Sequence, residues 1–163
     1  MDFKKLTATD IDNLSKFISD PERFITKPTV HWDHDQFKTV RAMPDLVIQP
    51  ETNEEVENVV KYASDHHIPI VSRGNSTGLM GGNLTVEGGI SLDMVKMNKV
   101  LEYEPESLTM TVQAGIRLKD IEEYLANKPF TYMPAPAMHW ATIGGNVDTN
   151  AGGLKAIKYG VTR

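Results

Sequence analysis

The chain has 163 residues, enough for one domain with its own core, and its 40% hydrophobic and 24% charged content is ordinary for a globular protein. A net charge of −5 argues against nucleic acid as the main partner. Without cysteine there is no disulfide framework and no Cys-type zinc site, and no apolar run approaches the ~20 residues of a membrane span.

In chain order, Met1-Asp2-Phe3-Lys4-Lys5 lacks the apolar h-region of a secretory signal, so a cytoplasmic location is expected. Thr9-Asp10-Ile11-Asp12 reads as the cap of a helix with Ile11, Leu14, Phe17 and Ile18 on one face, ended by Pro21. Residues 26–40 read as polar and irregular. Their His31-Trp32-Asp33-His34-Asp35 run has ligand-type side chains but no regular element to fix them, so no metal is expected. The plainer reading is a surface segment packed by Trp32 and Phe37.

Asp45 to Pro50 reads as a strand closed by proline. Thr52-Asn53-Glu54-Glu55 is a capping box that opens a helix with the stripe Val56, Val59, Val60 and Ala63. His66 and His67 fall in its last turn, where a cation suits the helix dipole. Ile68 to Val71 reads as the next strand, so a βαβ unit with parallel strands delivers the chain to Ser72-Arg73-Gly74-Asn75-Ser76-Thr77-Gly78-Leu79-Met80-Gly81-Gly82.

Four glycines stand in the nine positions from Gly74 to Gly82. Glycine permits positive φ and close approach of a ligand, and successive N–H groups can form a nest for an anion, most naturally a phosphate or diphosphate. A Walker loop would need Lys-Ser or Lys-Thr and then a helix, and a GxGxxG turn would also need a helix directly after it. Here Thr85 to Asp93 reads as a turn and then a strand, so the loop's own amides must neutralise the anion. The bland alternative is a glycine-rich hairpin connection with no ligand.

Further on, Lys99 to Tyr103 and Ser107 to Gln113 read as strands joined by a hairpin turn at Pro105-Glu106. Gly115 leads into a helix, Arg117 to Asn127, with Leu118, Ile121 and Leu125 on one side. Met94, Met97 and Met110 read as core filler. Tyr132 to Trp140 contains Pro134 and Pro136 and is not helical. A second glycine cluster follows, Thr142-Ile143-Gly144-Gly145-Asn146-Val147-Asp148-Thr149-Asn150-Ala151-Gly152-Gly153, and then Lys158-Tyr159-Gly160. All 12 glycines lie from Gly74 onward. In this cluster glycine would let the backbone pass close to a flat ring, with amides from Asn146 and Asn150 and hydroxyls from Thr142 and Thr149 at its polar edge.

Together, the RGxxTGLxGG text at Arg73 to Gly82, TIGGNxxTNAGG at Thr142 to Gly153, and KYG at Lys158 to Gly160 resemble the FAD-binding PCMH-type domain of the vanillyl-alcohol-oxidase type. The branch they look most like holds the glycolate oxidase flavin subunit and D-lactate dehydrogenases. The resemblance covers residues 43–163 and leaves 1–42 as a helical and irregular extension. It implies an α+β fold, in which a small parallel βαβ subdomain is followed by a mixed or antiparallel sheet with helices. It also implies an incomplete C-terminus, because relatives continue with further strands and a substrate-capping domain that carries the catalytic residues.

By the same resemblance, Arg73, Gly74, Asn75, Ser76, Thr77, Gly78 and Leu79 hold the FAD diphosphate. Thr142, Gly144, Gly145, Asn146, Asn150, Gly152, Gly153 and Tyr159 line the flavin and ribityl side, and Pro134 offers main-chain contact. Relatives often carry Pro-Asp-Pro where this chain has Pro134-Ala135-Pro136, so a side-chain bond from that segment is not carried over. Some relatives attach FAD covalently through a histidine at the position of Thr77, so here FAD should be non-covalent. His139 and Trp140 stand where they could approach the cofactor, but as lone residues they read more plainly as packing, and no catalytic residue is assigned.

The chain is therefore expected to be the cofactor-binding portion of an FAD-linked oxidase or dehydrogenase of a 2-hydroxy acid, inactive alone, with FAD and the remainder of the enzyme or partner subunits as partners. The alternatives are a non-catalytic FAD-domain module acting through partner chains and, further off, the related NADPH-dependent cell-wall reductase.

Overall fold

A computed structural model describes residues 3–134 and 136–163, and these fall into two compact units, the first ending at Met94 and the second running from Val95 to Arg163. The fold is mixed α+β, with one mostly parallel sheet and one antiparallel hairpin.

In the first unit, helix α1 (Ala8–Ser15) is capped by Thr7 rather than Thr9. The Asp10 carboxylate accepts from the Thr7 backbone N–H at 2.9 Å, and the Thr7 hydroxyl accepts from Asp10 N, a reciprocal box two residues earlier than the sequence suggested. The helix stops well short of Pro21, which instead opens a short 3₁₀ turn (Pro21–Arg23). Leu14 and Ile18 are buried in the same core as the strands that follow, so the front of the chain is part of this unit's core.

Strands β1 (Phe24–Ile25), β2 (Leu46–Ile48), β3 (Ile70–Arg73) and β4 (Ile90–Asp93) form a sheet in the order β1-β2-β4-β3. β1 is antiparallel to β2, and β2, β4 and β3 are parallel, with Leu46 and Ile70 both opposite Ile90. The two strands of the expected βαβ unit are thus parallel but not neighbours, because β4 inserts between them. With pairing on both sides, β4 is buried along its whole length.

Helix α2 (Asn53–Asp65) links β2 to β3 and buries Val59 and Ala63 against the sheet. Thr52 caps it by accepting from Glu55 N at 3.1 Å. The Glu55 carboxylate reaches the Glu51 N–H and both terminal nitrogens of buried Arg23, all at 2.7 Å, instead of closing the box on Thr52. Val60, expected in the stripe, is 41% exposed.

In the second unit, β5 (Val100–Glu104) pairs antiparallel with β6 (Thr109–Val112), the expected hairpin, with Leu108 at φ 56 and exposed in its turn. Helix α3 (Leu118–Leu125) buries Leu118, Ile121 and Leu125. Ile121 and Leu125 pack with Ile116 under the hairpin residues Tyr103, Met110 and Val112. Between hairpin and helix lies an apolar cavity of about 390 Å³, lined among others by Tyr103, Met110, Ile121 and Phe130. Residues 126–141 are irregular where described, and Ala135, the position of the departure from Pro-Asp-Pro, lies outside the described residues. Short helices α4 (Ile143–Asp148) and α5 (Ala156–Tyr159) complete the unit.

Candidate functional site

The glycine-rich stretch leaves the end of β3 and returns in β4. Because those strands are adjacent and parallel, it is a crossover, not a hairpin. Parallel neighbours are usually joined through a helix, yet residues 74–89 contain none. Among the described residues, the N–H groups of Ser76, Thr77, Gly78 and Leu79 find no internal acceptor. A row of unspent donors in an exposed or half-buried loop is what an anion-binding nest offers, so the loop fits a diphosphate. The left-handed turns that shape it fall on Ser76 (φ 55) and Gly81 (φ 74), not on Gly74 or Gly78. Among the described residues, no atom lies within 4 Å of where a Cβ at Gly78 would stand.

Arg73 is the last residue of β3 and only 3% exposed. Its guanidinium donates to the backbone carbonyls of His31 (2.8 Å), His34 (3.3 Å) and Trp32 (3.4 Å). Burial pulls its pKa below the usual arginine range, and the nearby charges of Asp93, Asp33 and Asp35 oppose the shift. The side chain expected to face the phosphate is therefore engaged with main chain behind the loop.

The segment that it holds is the His31–Asp35 run. Asp33 (8% exposed) binds Arg41 with both oxygens at 2.9 Å and His34 Nδ1 at 2.7 Å. The His34 contact lowers the Asp33 pKa most, burial opposes it, and Arg41 lowers it further. Asp35 (4% exposed) accepts from the N–H groups of Phe37, Lys38 and Gly81. Burial works against its charge, but the donors from Lys38, Gly81 and Phe37 outweigh it and hold the carboxyl below the usual carboxylate range. Trp32 Nε1 donates to Asp93 at 3.1 Å, and Phe37 is 67% exposed, so only Trp32 of the two expected packing residues is anchored. Among the described residues no group of three or more His, Asp or Glu side chains could hold a metal ion.

The role of this run was not read from the sequence. The available signal was an Asp two residues before an N–H-bearing stretch, which favours a local turn, but its long bond to Gly81 has no sequence signature.

In the second unit, Thr142 pairs with Arg117 in an isolated antiparallel bridge and starts α4. Gly144 donates its N–H to Ala114 O at 2.8 Å, and a Cβ there would stand 2.9 Å from Ala114 Cβ. At Gly152 a Cβ would stand 2.7 Å from Val161 Cγ1. Both glycines serve close chain-to-chain approach within the unit. Gly145 is exposed and accepts from the Thr149 hydroxyl at 2.8 Å.

Asn146 is 3% exposed, and its amide nitrogen is buried with no partner among the described residues. An unspent buried donor is costly unless a ligand or water meets it, so this position fits a polar ring edge. Asn150, at φ 50, spends its amide on Thr162 O at 2.8 Å. Gly153 accepts the Ala156 N–H at 3.0 Å, Pro134 is half-buried, and Tyr159 is 38% exposed. None of these positions lines the apolar cavity, whose walls are the hairpin, α3, residues 130–132 and Ile143 of α4. His139, 3.2 Å from Glu122, sits on the surface.

Comparisons with known proteins identify the family and the fold. The FAD binding domain family matches residues 44–163. A D-lactate dehydrogenase of Anaerostipes hadrus is 35% identical over 164 residues, covering 99% of this chain and 34% of that protein. Glycolate oxidase subunit GlcD of Bacillus subtilis is 40% identical over 149 residues, covering 90% of this chain and 32% of that protein. An alkyldihydroxyacetonephosphate synthase structure superposes with a TM-score of 0.85 at 25% identity, covering 98% of this chain and 35% of its own. The chain thus spans about a third of the length of the relatives it matches. With its PCMH-type α+β fold, it belongs to the FAD binding domain family of flavin-linked oxidoreductases, and its cofactor is FAD.

Proposed function

We propose that this chain supplies the cofactor-binding portion of an enzyme that oxidises a 2-hydroxy acid of the glycolate or D-lactate type. The substrate class is supported by the two relatives named above. The observation that carries the cofactor role is the run of unspent N–H groups from Ser76 to Leu79. In this reading Gly74, Asn75, Ser76, Thr77, Gly78 and Leu79 take the diphosphate, and Arg73 shapes the loop from behind. Thr142, Gly144, Gly145, Asn146, Asn150, Gly152, Gly153 and Tyr159 take the flavin and ribityl side, with main-chain contact at Pro134. Bound FAD would supply the hydride acceptor. Thr77 forms no flavin bond, so the cofactor is held non-covalently. Among the described residues no helix is long and apolar enough to cross a membrane. With no cysteine in the chain, a cytoplasmic site of action completes the reading.

FAD titration followed by flavin fluorescence tests the cofactor role. Saturable binding at one FAD per chain is expected, and its absence would overturn the reading. The substrate class is tested on the intact enzyme by comparing glycolate, D-lactate and L-lactate with an artificial electron acceptor. Indifference to all three would sink it.

A further inference from the structure

We propose that Asp35 is a positioning residue for the glycine-rich loop, fixing its shape through Gly81 without itself touching the cofactor. The identity of the ligand rests on the cofactor reading above; the bracket itself does not.

One oxygen of the buried Asp35 carboxylate accepts from Phe37 N at 2.9 Å and Lys38 N at 3.0 Å, folding the chain back on itself. The other accepts from Gly81 N at 2.9 Å, across to the far end of the loop. Gly81 lies at φ 74, so its N–H points where a left-handed turn sends it. Two further bonds join the same segments: Gln36 N donates to Gly78 O at 3.2 Å, and the Ser76 hydroxyl donates to His34 O at 3.3 Å. At the loop's entry, Arg73 grips the carbonyls of His31, Trp32 and His34. Residues 31–38 therefore hold the loop at both ends, and the unspent N–H groups lie between the two holds.

This stretch also carries bonds of its own, from Asn83 Nδ2 to the Ser76 hydroxyl and from Leu84 N to Gly81 O at 3.0 Å. It has no helix, Leu79 is 57% exposed and Met80 is 95% exposed. A carboxylate would repel a diphosphate as a direct contact. Its lone pairs instead face three N–H donors, so its use is to orient the backbone.

Asp35→Asn separates the two halves of the bracket. Its amide oxygen could keep the turn at Phe37 and Lys38, while its NH₂ would oppose the Gly81 N–H, donor against donor. Amide exchange read residue by residue on the cofactor-free protein is the first test. Exchange at Gly81 should speed up by about tenfold or more, the equivalent of one lost charge-assisted bond, with β3 and β4 amides unchanged. Parent-like exchange at Gly81 overturns the proposal whether or not FAD binds.

FAD titration is the second test. The Kd should rise about tenfold while the unfolding midpoint of the cofactor-free variant stays close to the parent's. Lower stability with undiminished FAD affinity would make Asp35 merely structural and would also overturn the proposal. If the parent itself fails to bind FAD, the cofactor reading falls and the exchange result alone decides the bracket. Asp35→Ser, which keeps an acceptor for the turn but is too short for Gly81, is read in the same way should Asp35→Asn not fold.

Discussion

A Cβ at Gly78 would meet no atom of the described residues within 4 Å, whereas one at Gly89 (φ 83) would collide with the Pro69 carbonyl oxygen. The two glycines therefore separate ligand approach from folding. Gly78→Val should leave the unfolding midpoint of the cofactor-free chain within a few degrees of the parent and weaken FAD binding at least tenfold, since the branched side chain would occupy the anion's space. Equal FAD affinity in both proteins would show that no ligand comes close there. Gly89→Ala should cost on the order of 1–3 kcal/mol or fail to fold, because it combines left-handed strain with a backbone clash. Thr77 carries a third expectation at this scale. FAD should leave the acid-precipitated polypeptide intact, and flavin retained by the washed pellet would contradict it.

At the scale of elements, the cap of α2 gives a calibrated case. Thr52→Ala removes the acceptor of the Glu55 N–H and should cost about 1 kcal/mol, a fall of roughly 2–4 °C in Tm for a chain of this size. No shift in a thermal melt would mean that Glu55, tied to Arg23, holds the helix start without the hydroxyl. Elements with strong local signals were legible in the sequence: α2, the β5–β6 hairpin with its turn after Pro105, and α3 with Leu118, Ile121 and Leu125. Each is set by periodicity and turn chemistry within a few residues. The insertion of β4 between β2 and β3 was not legible, since sheet order depends on non-local pairing. The start of α1 moved to Thr7 because Asp10 closes the box with Thr7, and its carboxylate also accepts from Lys4 and from the distant Tyr62 hydroxyl. At the candidate site the glycine text revealed the loop, but the direction of Arg73 and the bond from Asp35 to Gly81 depend on tertiary contacts.

For the whole molecule, acid response follows from five carboxyls held below their usual range. Asp10 is held mainly by the Thr7 hydroxyl, Asp33 by His34 and Arg41, and Glu55 and Asp120 by the arginines Arg23 and Arg117. In Asp35 burial is outweighed by three N–H donors. A depressed folded pKa stabilises the protein above the unfolded value and loses that contribution as pH falls toward the folded one. Stability from these groups should thus stay level from about pH 7 to about pH 5 and decline below about pH 4. A midpoint unchanged at about pH 3 in pH-scanned melts would show that these contacts contribute nothing. Catalysis is expected to need more than this chain. No arginine of the loop is free to clamp a substrate carboxylate, because Arg73 is spent on main chain, and His139 is paired with Glu122 on the surface. FAD-loaded protein offered glycolate, lactate and an artificial acceptor should show no turnover, and turnover lost in His139→Ala would reverse that expectation.

The parallel crossover that lacks a helix has a chemical consequence as well. Its apex carries Met80, 95% exposed, beside Leu79, whereas Met97 is 4% exposed in the second unit and Met43 is 43% exposed. Peroxide should convert Met80 to its sulfoxide ahead of the other described methionines, and thermolysin should nick the described chain first beside Leu79 or Met80. Both reactions would slow when an anion settles against the neighbouring amides, so the damage rate at one methionine becomes a clock for occupancy of the loop.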